Sequence, residues 1–121
     1  ECRNCYILSS PKNDRLVYLT LADVMPYLDE VDRMTPDGVE IGITGGEPFM
    51  CPDILPIMEA ILFREHSLLL LTNAMRPMMR PRIQEGLCRL RDNGLAEQLT
   101  LRVSLVVFNL RVSCRRATSC R

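Results

Sequence analysis

The sequence lacks three features that would assign it at once to a binding or membrane class. It has no charge excess, because 15 basic residues balance 15 acidic ones, so no strong field favours nucleic acid or an anionic membrane. No apolar run approaches the roughly 18 residues of a membrane-spanning helix. A single histidine, His66, leaves the usual Cys and His zinc sites short of ligands. We therefore expect no nucleic-acid partner and no membrane association.

A secretion leader is also missing from the first residues, which open on Glu1. Six cysteines are present, but their irregular spacing and the alternating strand and helix patterns are unlike a small disulfide-linked secreted scaffold. These observations predict a cytoplasmic protein with reduced thiols.

The first chemically informative feature is a cysteine pair, Cys2 and Cys5. Two thiolates three positions apart can bind one metal centre, and three interpretations stay open: part of a zinc site, a dithiol redox pair, or ligands of an iron–sulfur cluster. A structural zinc site would need about two more ligands. Cys51 is either a makeshift extra ligand or an incidental buried cysteine.

A second feature is the turn Gly45-Gly46-Glu47-Pro48, which follows an alternating apolar strand predicted over 39–43. Paired glycines allow backbone angles or a close ligand approach that a side chain would forbid. Glu47 would then lie at the carboxyl end of a strand, where α/β folds place their ligand sites. Taken alone, a glycine pair is more often only a turn.

Helical and strand patterns alternate along the rest of the chain. Thr20 and Asp23 predict the start of a first helix, with Pro26 near its first turn and the acidic residues at 29, 30 and 32 on a solvated face. Two more helices are predicted over 52–65 and 81–92, and two more strands over 67–71 and 99–105. This order predicts an α/β fold, with a parallel sheet of βα units joined by right-handed crossovers.

Polar residues follow the predicted strands, as Glu47 follows the first. Asn73 comes after the second strand and Ser104 lies near the end of the third. The cysteine pair before a first helix, the Gly-Gly-Glu-Pro turn about forty residues later and these two strand ends together resemble the radical SAM superfamily. The resemblance runs over residues 2–105 and covers the N-terminal part of that family's core domain.

The resemblance implies a partial core domain over residues 1–105, in which the sheet is part of a TIM-like (β/α)6 partial barrel. A full eight-unit barrel takes about 250 residues, so this chain has room for about half a barrel and is interpreted as truncated. The resemblance also implies an enzyme that binds a 4Fe-4S cluster and S-adenosylmethionine, and that cleaves the latter reductively to a 5'-deoxyadenosyl radical. As a truncated piece, the chain itself is expected to be inactive.

The implied cluster ligands are Cys2 and Cys5, which correspond to the second and third cysteines of the family motif, with the first expected just upstream of Glu1. Contact with the methionyl ammonium is implied for the glycine turn, and contact with the ribose or carboxylate for the later strand ends. The implied S-adenosylmethionine-binding residues are Gly45, Gly46, Glu47, Pro48, Asn73 and Ser104. An electron donor such as a flavodoxin or ferredoxin is implied too, whereas the substrate, a small molecule or a peptide, is left open.

The last residues, 106–121, differ from the rest in charge. They contain four arginines and no acid, whereas residues 1–105 carry eleven basic and fifteen acidic side chains. Two interpretations are open: an irregular basic tail that binds something anionic, or residues read out of frame. Two alternatives to the radical SAM interpretation also remain, namely a zinc- or thiol-binding module that uses Cys2 and Cys5, and a non-catalytic fragment.

Overall fold

Helices and strands alternate along residues 17–104, the part of the chain that the computed structural model describes. The helices are α1 (Leu21–Met34), α2 (Ile54–Leu62) and α3 (Pro81–Asp92), and the strands are β1 (Glu40–Ile43), β2 (Ser67–Thr72) and β3 (Leu99–Val103). Short 3₁₀ helices at Pro48–Met50 and Leu95–Gln98 were not predicted. The predicted α/β alternation is confirmed, while Cys2, Cys5, Leu105 and the tail over 106–121 lie outside the described residues.

Helix α1 begins as the sequence predicts. Thr20 is the N-cap and forms a reciprocal capping box with Asp23. The Leu21 amide also donates to the Asp53 carboxylate at 3.0 Å, which ties the start of α1 to the start of α2. The expected place of Pro26 is wrong, because it lies beyond the first turn, inside a helix that continues to Met34. The capped and tethered first turn keeps the chain helical although Pro26 has no N–H to donate.

The three strands form one parallel sheet in the order β1-β2-β3. Since crossovers between neighbouring parallel strands are right-handed, α2 and α3 cover the same face. Side chains of that face join the helices in one apolar core, as Ile41, Leu68, Leu70 and Leu101 do. The opposite face is open in the described residues, so the sheet has one packed face and one accessible face.

The packed core is built mainly by α2. Its buried side chains lie on both the sheet side and the neighbouring-helix side, and Met58, the one methionine of this helix, is fully buried. Gly86 of α3 is buried against Leu55, and a Cβ there would approach the Leu55 side chain to 2.5 Å. This glycine therefore permits the close approach of α3 to α2.

A network of hydrogen-bonded polar side chains lies at the edge of the sheet where the strands begin. The buried ring of His66 accepts a hydrogen bond at Nδ1 from the Val39 amide (3.3 Å), so its proton lies on Nε2, which donates to Asp32 (2.8 Å). Arg64 donates to Asp32 and, at 2.7 Å, to Asp29; this hydrogen bond from Arg64 to Asp29 raises the pKa of the guanidinium above its ordinary value. The acidic face predicted on α1 is solvated at Glu30 and Asp29, whose side chains are exposed, whereas the half-buried Asp32 also pairs with the buried His66 ring that precedes β2.

Candidate functional site

The carboxyl ends of the three strands bring together most of the residues singled out from the sequence. Gly45 and Gly46 form an exposed turn after β1, Asn73 is exposed after β2, and Ser104 is exposed after β3. The Ser104 amide donates to the Thr72 carbonyl at 3.0 Å, which continues the β2–β3 pairing to the last described residue. The predicted gathering of these residues at one edge of the sheet is therefore present.

The Glu47 carboxylate links the first two strand ends. Its Oε1 accepts hydrogen bonds from the Phe49 amide (3.2 Å) and the Thr72 hydroxyl (2.8 Å), and its Oε2 accepts one from the Asn73 amide (2.8 Å). All three partners donate, and the two oxygens of a carboxylate offer about four acceptor positions. One acceptor position on Oε2 is left for a further donor.

Thr72 is the residue of this edge that the sequence interpretation did not assign. Its hydroxyl donates to Glu47 and accepts a hydrogen bond from the Ala74 amide at 3.0 Å, while the residue is only 2% exposed. A signal was present in the sequence, because Thr72 follows Leu68 and Leu70 at every second position and so falls on the packed face. A hydroxyl on that face needs a hydrogen-bond partner.

The buried residues Pro48 and Phe49 follow the glycine turn and support it. Pro48 occupies the first turn of the short 3₁₀ helix that Glu47 caps, where its missing N–H costs nothing. Both residues are buried, and Phe49 is 1% exposed in the apolar core. Pro48, assigned from the resemblance to the cofactor site, therefore lies beneath the turn and supports it.

The glycine turn contains a glycine, Gly45, that the surrounding described residues do not require. Neither Gly45 nor Gly46 adopts a positive φ, and a Cβ added to Gly45 would meet no atom within 4 Å. The fold of the described residues thus gives no steric reason for glycine at position 45. A close approach by a bound molecule would give one.

Asn73 presents a partly occupied side chain next to this turn. Its Oδ1 accepts a hydrogen bond from the Met75 amide at 2.9 Å, which closes an Asx turn, and its backbone amide is held by Glu47. The side-chain NH₂ group and the Ser104 hydroxyl form no hydrogen bond to another residue of 17–104 and lie on exposed residues. Both groups therefore remain available to a partner beyond the described residues.

The metal ligands predicted from the sequence, Cys2 and Cys5, lie outside the described residues. Within 17–104, no group of three or more His, Cys, Asp or Glu side chains is placed to hold a metal ion. Cys51 follows the short 3₁₀ helix and its thiol lies 3.3 Å from the carbonyl of Leu19, the residue next to the N-cap of α1. It is half-buried and not fully enclosed.

The edge therefore combines a fixed carboxylate, an exposed glycine turn and two outward polar side chains. Such a set suits a small polar ligand with a cationic group, because the carboxylate and the backbone carbonyls accept hydrogen bonds from an ammonium. No helix within the described part of the chain is long and apolar enough to cross a membrane. Comparison of the chain with known proteins found no matching family model, no matching curated protein and no matching solved structure.

Proposed function

We propose that this chain is the N-terminal part of a radical SAM core domain and that the carboxyl edge of its sheet binds S-adenosylmethionine. The observation that carries the proposal is the Glu47 carboxylate, held by three donors near Gly45, where an added Cβ would meet no atom within 4 Å. Parallel βα folds bind ligands at this edge. The resemblance of the same residues to the superfamily supplies the identity of the ligand.

In this proposal the free acceptor position of Glu47 and the carbonyls of the turn receive the methionyl ammonium. The Asn73 and Ser104 side chains donate to the ribose or to the methionyl carboxylate. Cys2 and Cys5 hold two irons of a 4Fe-4S cluster, with a third ligand supplied by a cysteine preceding Glu1 or by Cys51. The cluster and S-adenosylmethionine together would supply one-electron reductive chemistry that yields a 5'-deoxyadenosyl radical, with a flavodoxin or ferredoxin in a cytoplasmic setting as the source of the electron.

The accessible face of the sheet supports the barrel part of the proposal. Gly42, Thr100 and Arg102 are exposed on that face, while Leu69 and Leu71 are half-buried there. A mixture of small, polar and apolar residues fits the inner wall of a partial barrel that encloses a ligand better than it fits a dry core. A TIM-like (β/α)6 partial barrel, completed by further strands, would place this face inward.

The test is equilibrium dialysis of the full chain against labelled S-adenosylmethionine, with 5'-methylthioadenosine, which lacks the amino-acid part, as the comparison ligand. We expect binding of the first and weaker binding of the second, because the methionyl ammonium is the group that Glu47 meets. Gly45→Val should weaken binding by roughly tenfold or more, since its side chain enters the open space over the turn.

The matched control is Ala96→Val, which also enlarges a small exposed residue but lies in the 3₁₀ helix before β3, at the edge where the strands begin. Equal affinities for the two ligands, or equal loss in both variants, would contradict the proposal. Anaerobic reconstitution with iron and sulfide, followed by metal analysis, distinguishes the alternatives, because a zinc- or thiol-binding module would retain stoichiometric zinc and no iron.

A further inference from the structure

Thr72 holds together all three strand ends of the proposed site. Its hydroxyl donates to Glu47 after β1, its carbonyl accepts from the Ser104 amide after β3, and it ends β2 itself. We propose that Thr72 is a positioning residue, whose buried hydroxyl orients the Glu47 carboxylate and so sets the ligand affinity of the Gly45-Gly46 turn. The affinity part of this inference rests on the proposed function.

The direction of each hydrogen bond can be assigned. The Ala74 amide donates to the Thr72 hydroxyl oxygen, so the single hydroxyl proton is directed to Glu47 Oε1. Ala74 has a positive φ of 52°, which an alanine adopts only when its surroundings hold it there. The hydroxyl therefore stabilises an unfavourable backbone conformation after β2 and at the same time orients the carboxylate after β1.

Burial decides between a ligand-contacting role and a positioning role. Thr72 is 2% exposed, so a ligand at the open edge cannot reach its hydroxyl. Glu47 is half-buried, and its Oε2 accepts only one hydrogen bond from the described residues. Any effect of the Thr72 hydroxyl on a ligand must therefore pass through its two partners, the Glu47 carboxylate and the Ala74 amide that follows Asn73. A hydrogen bond from a hydroxyl to a carboxylate is among the stronger ones in proteins, and its loss would free the turn between β1 and the 3₁₀ helix.

The experiment uses Thr72→Val, which keeps the side-chain shape and removes the hydroxyl, and Thr72→Ser, which restores the hydroxyl. Two readouts are measured in the full chain: amide hydrogen exchange at Phe49 and Asn73, and dialysis affinity for S-adenosylmethionine. The matched control is Thr35→Val, which removes a hydroxyl that donates to the Val31 carbonyl at the opposite edge of the sheet. If Thr72→Val does not fold, Thr72→Ala, which also removes the hydroxyl, serves in its stead.

We expect exchange at Phe49 and Asn73 to accelerate roughly tenfold or more in Thr72→Val and affinity to fall by a similar factor, with both restored in Thr72→Ser and unchanged in Thr35→Val. Unchanged exchange at both amides would overturn the inference, as would faster exchange with wild-type affinity. If even the wild-type chain binds no S-adenosylmethionine, the proposed function fails; the exchange data then still decide whether the hydroxyl positions Glu47.

Discussion

At the edge where the strands begin, polar groups pair with one another, whereas at the edge where they end several polar groups lie exposed. The first edge contains His66, whose two ring nitrogens are both used, and Arg64, which bonds to two aspartates. The second contains Glu47, which keeps an acceptor position, and the exposed side chains of Asn73 and Ser104. In parallel βα folds the first edge typically serves stability and the second serves function.

The glycines of the two edges show the same difference. Gly38, before β1, has φ +81°, and a Cβ on it would lie 2.8 Å from the Glu65 carbonyl oxygen. Its residue type is therefore required by the fold. Gly45, after β1, has no positive φ, and its Cβ would meet nothing. This contrast is the strongest evidence in the structure that glycine at position 45 is required by something other than contacts among the described residues.

The largest expected effect follows from substituting these two glycines in parallel. Gly38→Ala should lower the free energy of unfolding by about 3 kcal/mol, because it combines left-handed backbone strain with a clash against main-chain atoms. Gly45→Ala should change it by less than about 0.5 kcal/mol. Urea denaturation followed by far-ultraviolet circular dichroism measures both. A comparable loss of unfolding free energy in the two variants would contradict the conclusion that the fold requires glycine at position 38 but not at position 45.

The helices and strands can be predicted from the sequence better than the side-chain contacts at the two edges of the sheet. Helix α3 has the predicted bounds, and β2 extends only to Thr72 beyond its predicted end, because long periodic patterns define such segments. The three-residue 3₁₀ helix after Glu47 is too short to produce a recognisable periodicity of apolar residues in the sequence. The bonds Thr72–Glu47 and His66–Asp32 join residues 25 and 34 positions apart, so they depend on strand register and helix packing. Thus the location of the candidate site is predictable from strand ends, while the hydrogen bonds that orient it are not.

A second prediction concerns the acidic residues of α1, which the sequence treats alike. Asp32→Ala leaves the Nε2 proton of the buried His66 ring without an acceptor and should cost about 2 kcal/mol of unfolding free energy. Glu30→Ala, on the same helix, removes only an exposed pair with Arg33 and should change stability by less than about 0.5 kcal/mol. Chemical denaturation of the two variants at neutral pH provides the comparison. If Glu30→Ala lowers the free energy of unfolding as much as Asp32→Ala does, the network around His66 contributes no more to stability than an exposed ion pair.

The smallest expected effect lies near the carboxyl edge, where α1 begins. Hydrogen bonds from the backbone amide and then the hydroxyl of Thr20 hold the pKa of Asp23 below the ordinary aspartate value of 3.8. Because the folded pKa is depressed, the ionised capping box stabilises the protein fully above pH 3.8, and this contribution disappears as the pH falls through the lower folded pKa. Asp23→Asn keeps an acceptor oxygen but loses the charge, so it should be slightly less stable than wild type at neutral pH.

The difference in unfolding free energy between wild type and Asp23→Asn should therefore shrink between pH 4 and pH 2 (roughly two pH units around and below the ordinary aspartate value), since residue 23 loses a charge there only in the wild type. Asp37→Asn is the control, because Asp37 is exposed in the turn before β1 and forms no hydrogen bond or ion pair with another residue of 17–104. Denaturation series at several pH values measure both differences. A constant Asp23→Asn difference across the series would mean that the charge of Asp23 does not contribute to the stability of the cap.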